Sequence, residues 1–139
     1  MPKIISSRKI STFAEMLDHP NEVFPIYFVD GCKLMTTFGR LAIENTRYYG
    51  NNVPTIWRYD KIGRELGGRQ FQEHWYINGG LDSKIATMRD GLYFGTFQNQ
   101  VLFIDKNEAY NCIIEHIKKQ KQALNKKIIE IQNKMYKAE

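Results

Sequence analysis

Cysteine is scarce in this sequence of 139 residues. Only Cys32 and Cys112 are present, and they lie far apart along the chain. Small secreted domains that depend on disulfides have a much higher cysteine content, so this chain is not built on a disulfide framework. The predicted setting is therefore a reducing intracellular compartment.

Long apolar segments are also missing. No segment approaches the roughly 20 apolar residues that a helix needs to cross a bilayer. The first thirteen residues, MPKIISSRKISTF, are basic but contain neither a continuous apolar region nor a small-residue cleavage site. We therefore predict no signal peptide and no membrane partner, and we expect a cytoplasmic protein.

The motifs of common catalytic and metal sites are absent as well. Neither G-x-S-x-G nor H-E-x-x-H occurs, and the basic loop KIGRELGGRQ matches no phosphate-binding glycine motif. Cys112 and His116 are four residues apart on a predicted helix, but a structural zinc site normally needs two such pairs. We therefore expect a protein that is not an enzyme and that holds no metal or cofactor.

Positive charge is present, and it is concentrated in the C-terminal part of the chain. Residues 106–139 contain eight Lys and four Glu, a net charge of +4. Residues 1–105 contain twelve Lys or Arg and eleven Asp or Glu, a net charge of +1. All seven Arg lie at or before Arg89. Because Arg offers a planar fork for bidentate or stacked contacts, we expect specific binding contacts in this first part.

Lys, Ile and Asn are abundant, with thirteen, sixteen and ten residues. Their codons are AT-rich, which is typical of some bacteria and of many phages. Small phage and mobile-element proteins without catalytic motifs often inhibit host machinery. We therefore expect an inhibitor or adaptor of this kind, which would act in the host cytoplasm.

Turn signals divide residues 1–105 into short elements. Thr12 and Glu15 have the spacing of a capping box, which predicts a short helix ending before Pro20. The pair Asp30-Gly31 predicts a type I′ hairpin, and Gly50-Asn51-Asn52 predicts the turn of a second one. The segment GRLAIEN fits either a strand or a helical turn. Frequent turns between about six or seven short strands are typical of a small antiparallel sheet or barrel.

Residues 106–139 change to a helical period. Asp105 is placed to cap a helix of about 30 residues, roughly 45 Å long. Apolar residues recur at alternating spacings of four and three, with Lys121 as the one exception, at Tyr110, Ile114, Ile117, Lys121, Leu124, Ile128, Ile131 and Met135. This pattern favours a coiled coil that pairs with a second copy or with another protein.

A second interpretation of the same residues stays open. Ile113 and Ile129 widen the apolar face, which favours a helix that folds back along the sheet. This interpretation allows, but does not require, a break in the helix near residues 120–125. The overall prediction is an α+β fold with a β-rich domain at residues 1–105 and a basic amphipathic helix at residues 106–139.

Aromatic and arginine residues interleave in TRYYGNNVPTIWRYDK and in the strand that follows. Alternation along the predicted strands places Trp57 and Tyr59 inward with Trp75, and leaves Arg58 outward. An outward surface of Arg and Tyr, with either Tyr48 or Tyr49 contributing, is then the predicted binding site. Its residues are Arg47, Tyr49, Arg58, Arg64, Arg69, His74 and Tyr76.

This surface fits two kinds of partner. Tyr and Arg are enriched as anchors of protein interfaces, so a non-catalytic protein that occupies a protein or nucleoprotein surface is the first hypothesis. Aromatic and arginine side chains also stack on bases, so a single-stranded nucleic-acid-binding module, supported by the lysine-rich helix, is the second. The near-neutral charge of residues 1–105 counts against the second. Self-association through the helix would involve Ile114, Ile117, Leu124, Ile128, Ile131 and Met135.

Overall fold

The described residues of the chain form a sheet of seven strands and one long helix towards the C-terminal end. A computed structural model describes residues 2–46, 49–66, 74–88 and 101–137. In chain order the described elements are β1 (Ile4–Ile5), a 3-10 helix (Phe13–Asp18), β2 (Glu22–Asp30), β3 (Lys33–Thr46), β4 (Gly50–Tyr59), β5 (His74–Gly79), β6 (Ile85–Met88), β7 (Val101–Phe103) and α1 (Lys106–Lys137). The predicted α+β class is confirmed.

Six of the strands close into a ring. Strands β2 to β7 each pair antiparallel with the next, and β7 pairs back onto β2 through Tyr27 with Phe103 and Phe28 with Leu102. Strand β1 is parallel to β2, with Ile4 opposite Glu22. The sheet is therefore mixed, and the antiparallel arrangement that the sequence predicts applies to the ring alone.

The predicted N-terminal helix is only a 3-10 helix. Thr12 has an extended backbone and its side chain makes no capping hydrogen bond. The Glu15 carboxylate does reach back, but it accepts a hydrogen bond from the Ser11 backbone N–H at 2.8 Å. Phe13 and Met16 on this segment are fully buried, so its fixed position comes from packing more than from helix propensity.

Both predicted hairpins form, with turns that differ from the prediction. In the first, Asp30 pairs with Lys33 around a loop of Gly31 and Cys32. Only Gly31 has a positive φ, of +64°, whereas a type I′ turn needs a positive φ at both loop residues. In the second, β3 ends at Thr46 and β4 begins at Gly50, so the Gly-Asn-Asn segment predicted as the turn belongs to strand β4. The ambiguous segment GRLAIEN lies within β3.

The hydrophobic core fills the inside of the ring. It includes the largest fully buried side chain, that of Trp75, and two side chains of the 3-10 helix. Its buried members are Phe13, Met16, Phe24, Ile26, Leu41, Ile56, Trp75, Ile77, Ala86, Met88 and Leu102. Since these residues come from the 3-10 helix and from all six strands β2 to β7, the core is shared by the whole ring.

Arg8 fastens the N-terminal segment to β2. Its Nε–H donates to both carboxylate oxygens of Glu22, at 3.2 and 2.9 Å. Hydrogen bonds from the side chains of Ser6 and Arg8 lower the pKa of the Glu22 carboxyl, and electrostatic interactions with Arg8 and His19 lower it further. The carboxylate therefore stays ionised at neutral pH and keeps this contact.

Helix α1 begins on the sheet and then leaves it. The Asp105 carboxylate accepts a hydrogen bond from the Asn107 backbone N–H at 2.9 Å, so the predicted cap is confirmed. Ala109 and Ile113 are buried against the sheet domain, whereas every residue from 114 to 136 is exposed. The helix is continuous, and the interpretation in which it breaks and folds back is wrong. None of the described helices is long and apolar enough to cross a membrane.

Candidate functional site

The outer face of β3, β4 and β5 carries a cluster of aromatic and arginine side chains. Arg40 is paired with Trp57, and Thr55 is paired with Tyr76. Paired residues of neighbouring strands lie on the same face of a sheet, and this face is opposite to the core residue Ile56. Thr55 and Tyr59 are buried on it, whereas Trp57 is partly exposed. We call this cluster the Arg–aromatic face. It consists of Arg40, Glu44, Tyr49, Trp57, Tyr59 and Tyr76.

Arg40 is held between two aromatic side chains. Its guanidinium carbon lies 4.9 Å from the centroid of the Trp57 ring, within the range of a cation–π interaction. Its Nε–H also donates to the Tyr59 hydroxyl at 2.7 Å. The Trp57 indole N–H in turn donates to the Glu44 carboxylate at 3.1 Å. These contacts fix the orientation of the Trp57 ring, which stays partly exposed.

A pair of tyrosine rings extends this face across β4. The ring centroids of Tyr49 and Tyr76 are 4.9 Å apart, and both side chains are partly exposed. Thr46 positions Tyr49, because its hydroxyl accepts a hydrogen bond from the Tyr49 backbone N–H at 2.8 Å. The same hydroxyl donates to the Gly50 carbonyl at 3.1 Å, which closes the end of the hairpin.

The predicted orientation of β4 is wrong for Ile56 and Arg58, whereas Tyr59 is buried as predicted. Ile56 points into the core, whereas Trp57 lies on the outer face, and Tyr59, although buried, lies there too. Arg58 therefore faces inward, with its guanidinium carbon 4.4 Å from the centroid of the Trp75 ring. The inward position of Trp75 itself is confirmed. Alternation along β4 does not distinguish its two faces, because each carries large apolar or aromatic side chains, and the pairing of β4 with its neighbours sets its inner face.

The other predicted binding residues have different outcomes. The structure brings Tyr49 and Tyr76 together and separates Arg58 from them. Arg64 is exposed in the loop after β4, where its backbone N–H donates to the Asp60 carboxylate at 2.9 Å. Arg47, Tyr48 and Arg69 lie outside the described residues, as does the side chain of His74.

Sequence reasoning missed Arg40 and Glu44. Both lie in or beside GRLAIEN, whose state the sequence left open between strand and helical turn. A strand there places Leu41 on one face and Arg40 with Glu44 on the other. The alternation of residues in this segment therefore indicates that Arg40 and Glu44 share a face, but only if the segment is a strand.

A second exposed surface runs along α1. We call the residues Tyr110, Ile114, Ile117, Lys121, Leu124, Ile128, Ile131 and Met135 the helix seam. Its apolar side chains are 45 to 68 % exposed. Within the described residues, none of the seam is covered by the sheet.

The described residues contain free thiols but no cluster of metal-ligating side chains. Cys32 and Cys112 are both exposed free thiols, and in the described ranges no group of three or more His, Cys, Asp or Glu could hold a metal ion. The Arg–aromatic face offers ring surfaces, a guanidinium and one carboxylate. Comparison of the chain with protein-family models, with curated proteins and with solved structures found no match in any of the three.

Proposed function

We propose that this chain is a non-catalytic binding protein that occupies the surface of a protein partner, as an adaptor or an inhibitor does. The observation that supports this proposal is the Arg–aromatic face. There the Arg40 guanidinium stacks on Trp57, and the Tyr49 and Tyr76 rings are paired beside it. Trp, Tyr and Arg are the residue types that contribute most of the affinity in protein interfaces.

The rigidity of this face favours binding. Arg40 and Trp57 are each held by a second contact, to the Tyr59 hydroxyl and to the Glu44 carboxylate. Side chains that are already ordered lose less conformational entropy when a partner arrives, so more of the contact energy contributes to affinity.

Charge favours a protein over a nucleic acid as the partner. The Glu44 carboxylate lies on the face itself, 3.1 Å from the Trp57 indole nitrogen. Residues 1–105 carry a net charge of only +1. Nucleic-acid affinity depends strongly on neutralising phosphates with Lys and Arg, and a carboxylate among the stacking rings opposes it.

A capture experiment tests the proposal. Tagged parent protein is incubated with a lysate of the organism that encodes it, and both bound proteins and bound nucleic acids are identified. We expect the double variant Arg40→Gln/Tyr76→Ala to retain at least about ten-fold less of a captured protein, because it removes two anchors. Tyr136→Ala is the matched control, since Tyr136 is an exposed tyrosine on α1, away from the face. Equal capture by all three proteins contradicts the proposal.

Single-stranded nucleic acid is the second candidate partner. The observation that favours it is the set of partly exposed rings on one face, since bases stack on such rings without sequence preference. Fluorescence anisotropy with a labelled single-stranded oligonucleotide distinguishes the two candidates. A protein that neutralises several phosphates loses affinity steeply as the salt concentration rises from about 50 to about 200 mM. Binding that weakens in this way would support a nucleic-acid partner. Absence of binding at low salt removes this candidate.

A further inference from the structure

The helix seam has the spacing of a two-stranded coiled coil. In heptad notation Ile114, Lys121, Ile128 and Met135 occupy a positions, and Tyr110, Ile117, Leu124 and Ile131 occupy d positions. Seven of the eight are apolar, and all of them are exposed to solvent. Solvent-exposed apolar side chains repeated over about 38 Å of helix form an unusually long apolar strip for a monomer.

The sheet domain does not compete for this seam. Ala109 and Ile113 are the residues of α1 that are buried against the sheet. At about 100° of rotation per residue, Ala109 points about 90° away from the middle of the seam, and Ile113 points about 50° away, at its flank. A second helix can therefore lie along the seam while the contact between α1 and its own sheet stays intact.

Lys121 disfavours a parallel arrangement of two such seams. In a parallel pair of identical helices in register, residues at the same a position face each other, so Lys121 would meet the partner's Lys121 in the middle of the apolar seam. Two ammonium groups brought together in partly desolvated surroundings repel each other strongly. The parallel arrangement therefore places its least favourable contact at the centre of the interface.

The antiparallel arrangement removes this contact. When Lys121 is placed opposite the partner's Leu124, Ile117 lies opposite the partner's Ile128 and Ile114 lies opposite the partner's Ile131. The seam then overlaps over its full length, and the flexible Lys121 stem covers apolar surface while its ammonium reaches water at the edge.

The positions beside the seam are compatible with this register. In an antiparallel pair, residues at the flanking e positions of one helix lie beside e positions of the other, and g positions lie beside g positions. Lys118 and Asn125 are e positions, and Gln120 and Lys127 are g positions. Lys118 then lies beside the partner's Asn125, and Gln120 lies beside the partner's Lys127. Since no lysine of either flank is placed beside a lysine of the other helix, this register has no like-charge pair along its edges.

We infer that the helix seam binds the seam of a second copy of this chain in the antiparallel direction, so that the protein is a dimer with its two sheet domains at opposite ends. The helices overlap over about 38 Å, which separates the two Arg–aromatic faces. A dimer of this shape presents two binding faces to one partner or to two. This last consequence rests on the proposed function, whereas the pairing itself does not.

Directional cross-linking of the full chain tests the inference. The background is Cys32→Ser/Cys112→Ser, which removes both native thiols. Ile117→Cys and Ile128→Cys are made separately, one with a larger tag, and are treated with a short thiol-specific cross-linker either alone or after mixing. We expect cross-linked heterodimers in the mixture and almost none with either variant alone. Lys119→Cys mixed with Lys126→Cys is the matched control, because both positions point away from the seam, and it should not cross-link.

Sedimentation equilibrium of the parent protein completes the test, and a dimeric mass is expected. Cross-linking of Ile117→Cys with itself would show parallel pairing and overturn the inferred direction. A monomeric parent at about 100 µM would overturn self-pairing and point to a helix of another protein, with acidic flanks, as the occupant. If the parent is a monomer but captures a protein that the double variant Arg40→Gln/Tyr76→Ala does not capture, the proposed function stands and only the dimer is rejected. If the parent is a dimer but captures no protein from the lysate, the inferred pairing stands and the proposed function is rejected.

Discussion

Individual glycines decide where this chain can turn. Gly80 precedes β6 with a φ of +88°, and a Cβ atom there would meet the Ile85 carbonyl oxygen and lie 2.8 Å from the Ala86 Cα. Gly31 in the first hairpin has a similar φ of +64°, but a Cβ atom there would have no neighbour within 4 Å. The two positions thus share a left-handed backbone and differ in the space around it.

Gly80→Ala is expected to destabilise the protein more than Gly31→Ala. The first combines backbone strain with a clash against backbone atoms, for a loss of roughly 2–5 kcal/mol in the free energy of unfolding. The second adds only the cost of a left-handed alanine, about 1–2 kcal/mol. Urea unfolding followed by tryptophan fluorescence measures both. Equal losses would show that the close approach at Gly80 is relieved by a small backbone shift.

Arginine–tryptophan contacts occur on both faces of β4. Arg58 stacks on the core residue Trp75, and Arg40 stacks on the outer residue Trp57. The first contact covers a core ring, and the second orients a partly exposed one. At the scale of single residues, arginine therefore stabilises the fold in one place and prepares a binding surface in the other.

At the scale of elements, α1 has a packed beginning and an exposed remainder. Ile113 is 8 % exposed and Ile129 is 57 % exposed, although both lie off the seam on the same helix. The helical pattern of the sequence could not distinguish them, since burial depends on where the sheet ends. The Asp105 cap and the absence of Pro and Gly after Gly95, by contrast, are local signals, and they predicted the helix correctly.

Ile113→Ala and Ile129→Ala form a matched pair of variants that tests this division. Removing the buried Ile113 side chain leaves a cavity against the sheet, and we expect a loss of roughly 2–4 kcal/mol in the free energy of unfolding. Ile129→Ala changes an exposed position outside the seam, so its effect should stay within about 0.5 kcal/mol. Urea unfolding at low protein concentration compares them. Similar losses would show that Ile129 also has a packing partner.

At the scale of the whole molecule, closure of the ring joins distant parts of the chain. Strand β7 completes the ring on β2, so the end of the sheet domain meets its beginning. The helix that follows β7 is thereby anchored to a closed core and projects from it. A rigid base of this kind is what two projecting helices need if they are to hold their sheet domains apart.

Substitution of Lys121 changes the strength of the inferred dimer. Lys121→Leu places an apolar residue at the one polar position of the seam, and we expect self-association to become about ten-fold tighter or more. Lys119→Leu removes the same charge outside the seam and is the control. Sedimentation equilibrium over a range of concentrations measures both. If the two variants associate equally, the change reflects net charge and the seam is not the interface.

The sequence by itself determined the α+β class, the cap and length of α1, the helix seam and the two partly exposed tyrosines that the structure pairs. These features depend on propensities and periodicity within a few residues. Only the tertiary structure decided that Ile56 faces inward, that Arg58 covers Trp75 and that Arg40 joins Trp57 outside. The inner face of a strand depends on its partners in the closed ring, and those partners come from distant parts of the chain, so no local pattern specifies it.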